Sequence, residues 1–277
     1  MTLKETLLKA QGQAKTAIEQ DAVFWLLLEL LNITKSDYYL NEDVELETKF
    51  IKKYLKNVDE YLINKVPVQY IIGESYFYNY KFYVNNYTLV PRVETEELVF
   101  RTINYIKEYF PDKENINILD LATGSGVIGI TLKLELKNAK VTISDVSKKA
   151  LKVARKNVRR YNLDIKTINS DWFNGINDKF DCIISNPPYI PLNQEVEDKV
   201  LSEPNNALFS GIEGLDSYKA ILSHVNNYLN DKAIIAFEHG YDQKDKLRLI
   251  INDNLSNVKI KQEQDLSNKD RYTFIFK

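Results

Sequence analysis

Ile116-Asn-Ile-Leu-Asp-Leu-Ala-Thr-Gly-Ser-Gly126 is an apolar run that ends in small residues and opens a helical pattern at Val127. A strand-loop-helix passage of this kind leaves backbone N–H groups free at the helix start, where polar groups of a ligand can meet them. Read literally, Gly124-Ser-Gly126-Val-Ile-Gly129 also satisfies G-x-G-x-x-G, with Asp145 at the end of the next strand as an acceptor for ribose hydroxyls. The spacing therefore fits a dinucleotide and S-adenosylmethionine alike. Asp120 separates them, because a carboxylate at the head of the loop suits the cationic methionine end of S-adenosylmethionine and repels a pyrophosphate. A tight turn without a ligand is the plainer reading of the glycines taken alone.

Working outward, strands are predicted at 117–121, 140–144, 165–169, 180–185 and 233–238, with helices between them and one from Glu94 to about Tyr109. This alternation predicts a parallel sheet covered on both faces. Two last strands, 258–264 and 271–276, lie too close together for a helical crossover and should pair as a hairpin, adding one antiparallel strand. From Thr2 to Lys65 apolar residues recur at helical spacing (Leu3, Leu7, Leu8; Phe24, Leu27, Leu28, Leu31; Phe50, Tyr54, Leu55, Val58, Leu62), which predicts a small helical bundle. Asp21, and Glu42 with Asp43, are the expected helix starts, and Pro67 the expected end of the third helix. Val68 to Val90 is aromatic and β-branched, consistent with a hairpin turning at Asn85-Asn86. The expected division is a helical domain over 1–67, a hairpin linker over 68–90 and an α/β domain over 91–277.

The fourth strand, Phe180-Asp-Cys-Ile-Ile-Ser185, runs into Asn186-Pro187-Pro188-Tyr189. That places the tetrapeptide at the carboxyl edge of the sheet, where open α/β folds bind ligands. An amide or exocyclic amine nitrogen is a poor nucleophile, because its lone pair is delocalised. It reacts when both N–H bonds are held on acceptors and the lone pair faces the methyl carbon. Asn186 supplies a side-chain carbonyl and Pro187 a backbone carbonyl, two acceptors for one NH2 group, and no general base is needed. The prolines fix φ near −65° and preorganise those carbonyls toward the charge that develops on nitrogen. Tyr189 is expected to cover the planar group by stacking. A rigid Pro-Pro turn is the bland alternative.

With these residues in place, the chain resembles the release factor glutamine methyltransferases, which modify the glutamine of the Gly-Gly-Gln motif in bacterial peptide chain release factors. The resemblance runs through Pro67-Val-Gln-Tyr-Ile-Ile-Gly73, Leu89-Val-Pro-Arg-Val-Glu-Thr-Glu96, Ile118 to Gly126, Ser170-Asp-Trp-Phe173, Ser185 to Ile190 and Phe237-Glu-His-Gly240. It implies a seven-stranded, mostly parallel, Rossmann-like class I methyltransferase sheet behind a substrate-recognising helical domain. It also implies transfer of a methyl group from S-adenosylmethionine to the glutamine N5. Asp120, Ala122, Thr123, Gly124, Ser125, Gly126, Asp145, Asp171, Trp172 and Asn186 would contact the cofactor, and Asn186, Pro187, Pro188 and Tyr189 the glutamine. The Pro91-Arg92 loop looks like a wall of the active site. Family members usually carry Gly where this chain has Ala122, and a methyl group there could crowd the cofactor or resist a positive φ. Some loss of cofactor affinity with retained activity is the expectation.

Composition bounds the rest. The chain has 277 residues, 44% hydrophobic and 27% charged, with a formal net charge of −2. A pI of about 5.9 gives no whole-molecule attraction for nucleic acid. Cys182 stands alone, and His224 and His239 give no zinc spacing, so neither disulfide nor metal is expected. The first residues lack an apolar signal core, and Val23 to Leu31 is too short to span a bilayer. A cytoplasmic monomer without direct DNA or membrane contact is the expectation. The seven Lys and Arg residues between Lys148 and Arg160 read as a solvated helix face. An adenine-N6 methyltransferase acting on DNA or RNA is the nearest alternative, since an exocyclic amine offers the tetrapeptide the same two N–H bonds. A nicotinamide-dependent oxidoreductase and a non-catalytic cofactor-binding module are more distant ones.

Overall fold

Hydroxyl side chains start the N-terminal helices. Thr2 and Glu5 form a reciprocal capping box at the head of α1 (Leu3–Gln11), with N–H···O distances of 3.2 and 3.0 Å. Thr16 caps α2 (Ala17–Leu31), and Thr34 with Asp37 caps α3 (Lys35–Leu40). The expected start at Asp21 is therefore moved upstream, because Thr16 already accepts the Glu19 N–H. Glu42 and Asp43 cap nothing. Glu42 pairs with Lys4 at 2.7 Å, and α4 (Thr48–Leu62) begins after Glu47 without a side-chain cap. Pro67 does not end that helix but opens α5 (Val68–Ile72), which stops at Gly73 with φ 83°.

The computed structural model describes residues 1–277 and divides into two units, Met1–Glu74 with Val196–Ser202, and Ser75–Glu195 with Glu203–Lys277. The first unit packs α1, α2 and α4 around Leu7, Val23, Leu26, Leu27, Tyr54 and Val58. The Tyr54 hydroxyl, buried among them, donates to the Val23 carbonyl at 2.8 Å. Its burial is thereby compatible with a polar group.

The hairpin is shorter than the 68–90 expected. It consists of β1 (Glu74–Phe77) and β2 (Tyr80–Tyr83), turning at Tyr78 and Asn79, both at positive φ as a tight two-residue turn requires. Asn85 forms a separate turn in which its side chain accepts from Tyr87 N–H at 3.0 Å and its carbonyl from Thr88 N–H at 3.0 Å. Nor is the hairpin a free linker. Phe77 and Phe82 join the core of the second unit, and the buried Asn157 side chain bonds the Tyr83 backbone on both sides and the Ser125 carbonyl.

The second unit continues with α6 (Val93–Tyr109), β3 (Ile116–Leu121), α7 (Val127–Glu135), β4 (Ala139–Asp145), α8 (Lys148–Arg160), β5 (Lys166–Asn169) and β6 (Phe180–Ser185). After α9 (Asp198–Leu201), which clusters with the first unit, come α10 (Asp216–Val225), β7 (Leu229–Glu238), α11 (Lys244–Asn254), β8 (Lys259–Gln264) and β9 (Asp270–Phe276). The seven-stranded sheet runs β5-β4-β3-β6-β7-β9-β8, with β9 the single strand opposed to the rest. Ile118, Cys182, Ile184 and Ile234 point to the face covered by α6, α7 and α8. Leu119, Ile183, Ile235 and Phe237 point to the face covered by α10 and α11. No helix is long and apolar enough to cross a membrane.

Candidate active site

Register sets the site. Leu121 pairs with Ser144 and Asp120 with Ile184, so the glycine loop, the Asp145 turn and the Asn-Pro-Pro-Tyr segment leave the sheet side by side at its carboxyl edge. They surround a cleft of about 960 Å3, solvent at its mouth included, lined by Ala122, Thr123, Gly124, Ser125, Asp145, Asp171, Trp172, Asn186 and Pro188. Thr95 and Arg92 from the head of α6 and Asn206 from beyond α9 complete the wall.

Four of the expected residues do not line it. Asp120 is fully buried beneath the loop, where one oxygen accepts from the Thr123 hydroxyl and from the Gly129 N–H at 2.8 Å. It thus organises the loop from below. Gly126 caps α7 at φ 87°, and a Cβ there would lie 2.9 Å from Ile130 Cδ1 and 3.3 Å from Ala154 Cβ, so its service is close helix packing. Pro187 is buried within the turn. Tyr189 is drawn away from the cleft, its hydroxyl donating to Glu238 Oε1 at 3.3 Å and its carbonyl accepting from Gln243 Nε2 at 2.8 Å. His239 is also buried and outside the lining, its Nδ1 2.8 Å from the Gly240 carbonyl.

Asp145 faces the cleft with capacity to spare. Its oxygens accept from Gly124 N–H at 2.8 Å and Ser147 N–H at 2.7 Å, leaving further lone pairs for hydroxyl donors. Burial raises its pKa, the two N–H donors opposing. Gly124, at φ 56°, has no atom within 4 Å of where a Cβ would stand, so the loop turns open backbone toward the cleft. A ribose diol on Asp145, with a planar base beside Trp172, suits this donor and acceptor set, and the residues present fit S-adenosylmethionine.

Ala122 adopts φ 61°, the left-handed conformation that costs an L-residue roughly 1–2 kcal/mol. The sequence-based concern about positive φ is met at this position. We expect Ala122→Gly to raise unfolding free energy by about 0.5–1 kcal/mol, read from paired urea titrations. An unchanged or lower value would mean that the loop relaxes without strain.

Several residues of the site carried no signal in the sequence reading. Glu203, almost wholly buried, accepts from Val90 N–H at 2.9 Å and pairs with the Arg92 guanidinium, fixing the Pro91-Arg92 wall. Thr95 and Glu238 lie inside quoted segments, yet only the folded chain joins them to Asn186, with Nδ2 to Thr95 Oγ1 3.0 Å and Thr95 Oγ1 to Glu238 Oε2 2.7 Å.

Burial pushes both Asp120 and Glu238 up to about 7, against the lowering effect of Thr123 and Gly129 on the first and of Thr95, Arg271 and Tyr189 on the second. Between the unfolded carboxyl range near 4 and the folded value, the native state holds the extra protons. Stability from these groups must therefore fall as pH rises from about 5 to about 7 and level off above. Unfolding titrations across pH 5–8 should show that slope. Glu238→Gln should remove its share and leave a shallower slope from Asp120, and an unchanged slope would contradict the assignment.

Known proteins point the same way. The model described as "Methyltransferase small domain" matches residues 104–211 and "PrmC N-terminal domain" residues 5–73. A methyltransferase structure from Pyrococcus furiosus superposes with TM-score 0.52 at 17% identity, covering 83% of this chain and 98% of that one, a likeness of fold. A release factor glutamine methyltransferase of Francisella tularensis is 36% identical, covering 90% of this chain and 87% of its own. One of Bacillus cereus is 32% identical over 90% of this chain and 89% of its own. At this identity over nearly the whole length, the chain belongs to the release factor glutamine methyltransferase family.

Proposed function

We propose that this S-adenosylmethionine-dependent enzyme methylates the side-chain amide nitrogen, N5, of the glutamine in the Gly-Gly-Gln motif of a bacterial peptide chain release factor. It acts as a cytoplasmic monomer whose helical unit, approximately 1–67, helps to recognise the factor. The observation that carries this reading is Asn186 lining the same cleft as the glycine loop and Asp145.

Ala122, Thr123, Gly124, Ser125, Asp145, Asp171 and Trp172 would hold the cofactor, which supplies an electrophilic methyl group on sulfur. The chain's own task is to present a weak nucleophile. Asn186 Oδ1 accepts one N–H of the glutamine amide, and the carbonyl of Pro187, at the peptide joining it to cleft-lining Pro188, accepts the other. With both N–H bonds held in the amide plane, the nitrogen lone pair is directed at the methyl carbon. The same two acceptors stabilise positive charge as it grows on nitrogen. The proton then leaves to solvent without a dedicated base. Leu121, Val127 and Ile128 line the cleft with apolar surface, which strengthens these dipoles by excluding water.

The test is transfer of labelled methyl from S-adenosylmethionine to a purified release factor, beside duplex DNA and an unstructured RNA. Label on the factor alone is expected. Label on nucleic acid instead would replace this reading with an adenine-N6 activity.

A further inference from the structure

An Asn carboxamide has two nearly isosteric ends, one accepting and one donating, and only the accepting end can hold a substrate N–H. Something must decide which end faces the cleft. Asn186 Nδ2 donates to Thr95 Oγ1 at 3.0 Å, while its Oδ1 makes no hydrogen bond within the protein. Thr95 Oγ1 in turn donates to Glu238 Oε2 at 2.7 Å, and the other carboxylate oxygen receives the Tyr189 hydroxyl at 3.3 Å. Thr95 is 4% exposed and Glu238 1%, so water does not compete for either.

We propose that Glu238 and Thr95 are positioning residues that set the polarity of the Asn186 carboxamide, holding its oxygen toward the substrate amide. This rests on the substrate reading above. A carboxylate only accepts, so the single Thr95 hydrogen is committed to Glu238 and only a Thr95 lone pair is left for Asn186. That lone pair admits the NH2 end of Asn186 and repels its oxygen. Donation therefore runs one way, from Asn186 through Thr95 to Glu238, across the Asn-Pro-Pro-Tyr turn, α6 and the end of β7.

A neutral group at 238 removes the rule. Glutamine there can donate to Thr95, Thr95 can then donate to Asn186 Oδ1, and the carboxamide turns its NH2 toward the substrate. Protonated Glu238 can do the same. The groups that bear on Glu238 are Thr95 and Glu94 on α6, Tyr189, Arg271 and Tyr272 on β9, and Tyr218 on α10, whose hydroxyl donates to the Glu238 carbonyl at 2.7 Å. The pKa near 7 puts the switch within the working range, so kcat should fall as pH drops through about 7.

The experiment measures kcat and KM for a release factor, with dissociation constants for S-adenosylmethionine, in Glu238→Gln, Thr95→Val and Thr95→Ser. It also follows the Asn186 side-chain NH2 resonances in Asn-labelled protein, assigned by their loss in Asn186→Asp. We expect Glu238→Gln and Thr95→Val to lower kcat by about 10–100-fold with little change in cofactor affinity. Thr95→Ser should restore it, the acid limb should vanish in Glu238→Gln, and the NH2 protons should lose protection from exchange. Wild-type kcat and unchanged NH2 protection in Glu238→Gln would overturn the proposal. A wild-type protein that leaves the factor unmethylated would overturn the substrate reading instead. The NH2 resonances would then decide the polarity rule alone.

Discussion

Replacing Asn186 with Ala should lower kcat for release factor methylation by about 10²–10³-fold, the range seen when one preorganised dipole is removed from a reacting centre. Dissociation of S-adenosylmethionine should change far less, because Ala122–Ser125, Asp145 and Trp172 line the cleft independently of that side chain. The size of the effect follows from the nucleophile. An amide nitrogen gains its reactivity from being held, and with one acceptor gone the lone pair is no longer directed. Loss of the carboxamide also leaves Thr95 Oγ1 without its cleft-side donor, while its own hydroxyl still donates to buried Glu238. Single-turnover kinetics with saturating cofactor, beside a calorimetric titration of the cofactor, separates chemistry from binding. Equal loss in both would make Asn186 a binding residue and nothing more.

Gly214→Ala should cost about 3 kcal/mol, combining overpacking with left-handed strain, and should abolish most turnover. Gly214 has φ 71°, and a Cβ there would stand 2.1 Å from the Tyr189 carbonyl oxygen and 2.6 Å from Gln243 Nε2. Neither neighbour can retreat. The Tyr189 carbonyl is backbone of the Asn-Pro-Pro-Tyr turn, and Gln243 is held by Gly240 N–H on its Oε1 at 2.9 Å while its Nε2 reaches Tyr189, Glu213 and Gly214 carbonyls. The added methyl group must therefore push the turn that carries Asn186. Gly175→Ala is the matched comparison, since φ is 79° there and no atom lies within 4 Å of the added carbon. It should show the strain alone, about 1–2 kcal/mol, with activity kept. Thermal unfolding and turnover of the two variants, measured together, check the difference. Equal behaviour would show that Gly214 supports only its own loop.

The sheet was legible because its strands are apolar runs bounded by small or polar residues, and β3, β4, β6 and β7 are buried on both faces. The final hairpin was legible from its short connection alone. Helix starts were less so. Thr16 took the start expected at Asp21, since its hydroxyl bonds a free N–H earlier in the chain, and α4, expected to start at Glu42 and Asp43, begins after Glu47 with no side-chain cap at all. The short α5 carries the β-favouring residues Val68, Tyr70, Ile71 and Ile72, and local propensity gave way to its context.

The cleft divides in the same way. Residues fixed by one strand end, such as Asp145 and Asn186, could be placed by counting. Asp120 and Tyr189 could not, because the direction of a side chain depends on partners outside its own strand or turn, Thr123 and Gly129 for the first and Glu238 for the second. Glu203 stands 111 residues from the Arg92 it holds, and no periodicity reports such a pair.

The most direct measurement is mass spectrometry of a release factor after incubation with this protein and S-adenosylmethionine, mapping the added methyl group by fragmentation. One methyl group on the glutamine of Gly-Gly-Gln, strongly reduced over the same incubation when Asn186→Ala replaces the wild-type protein, is the expected result. A methyl group on any other residue, or transfer undiminished by Asn186→Ala, would contradict the account.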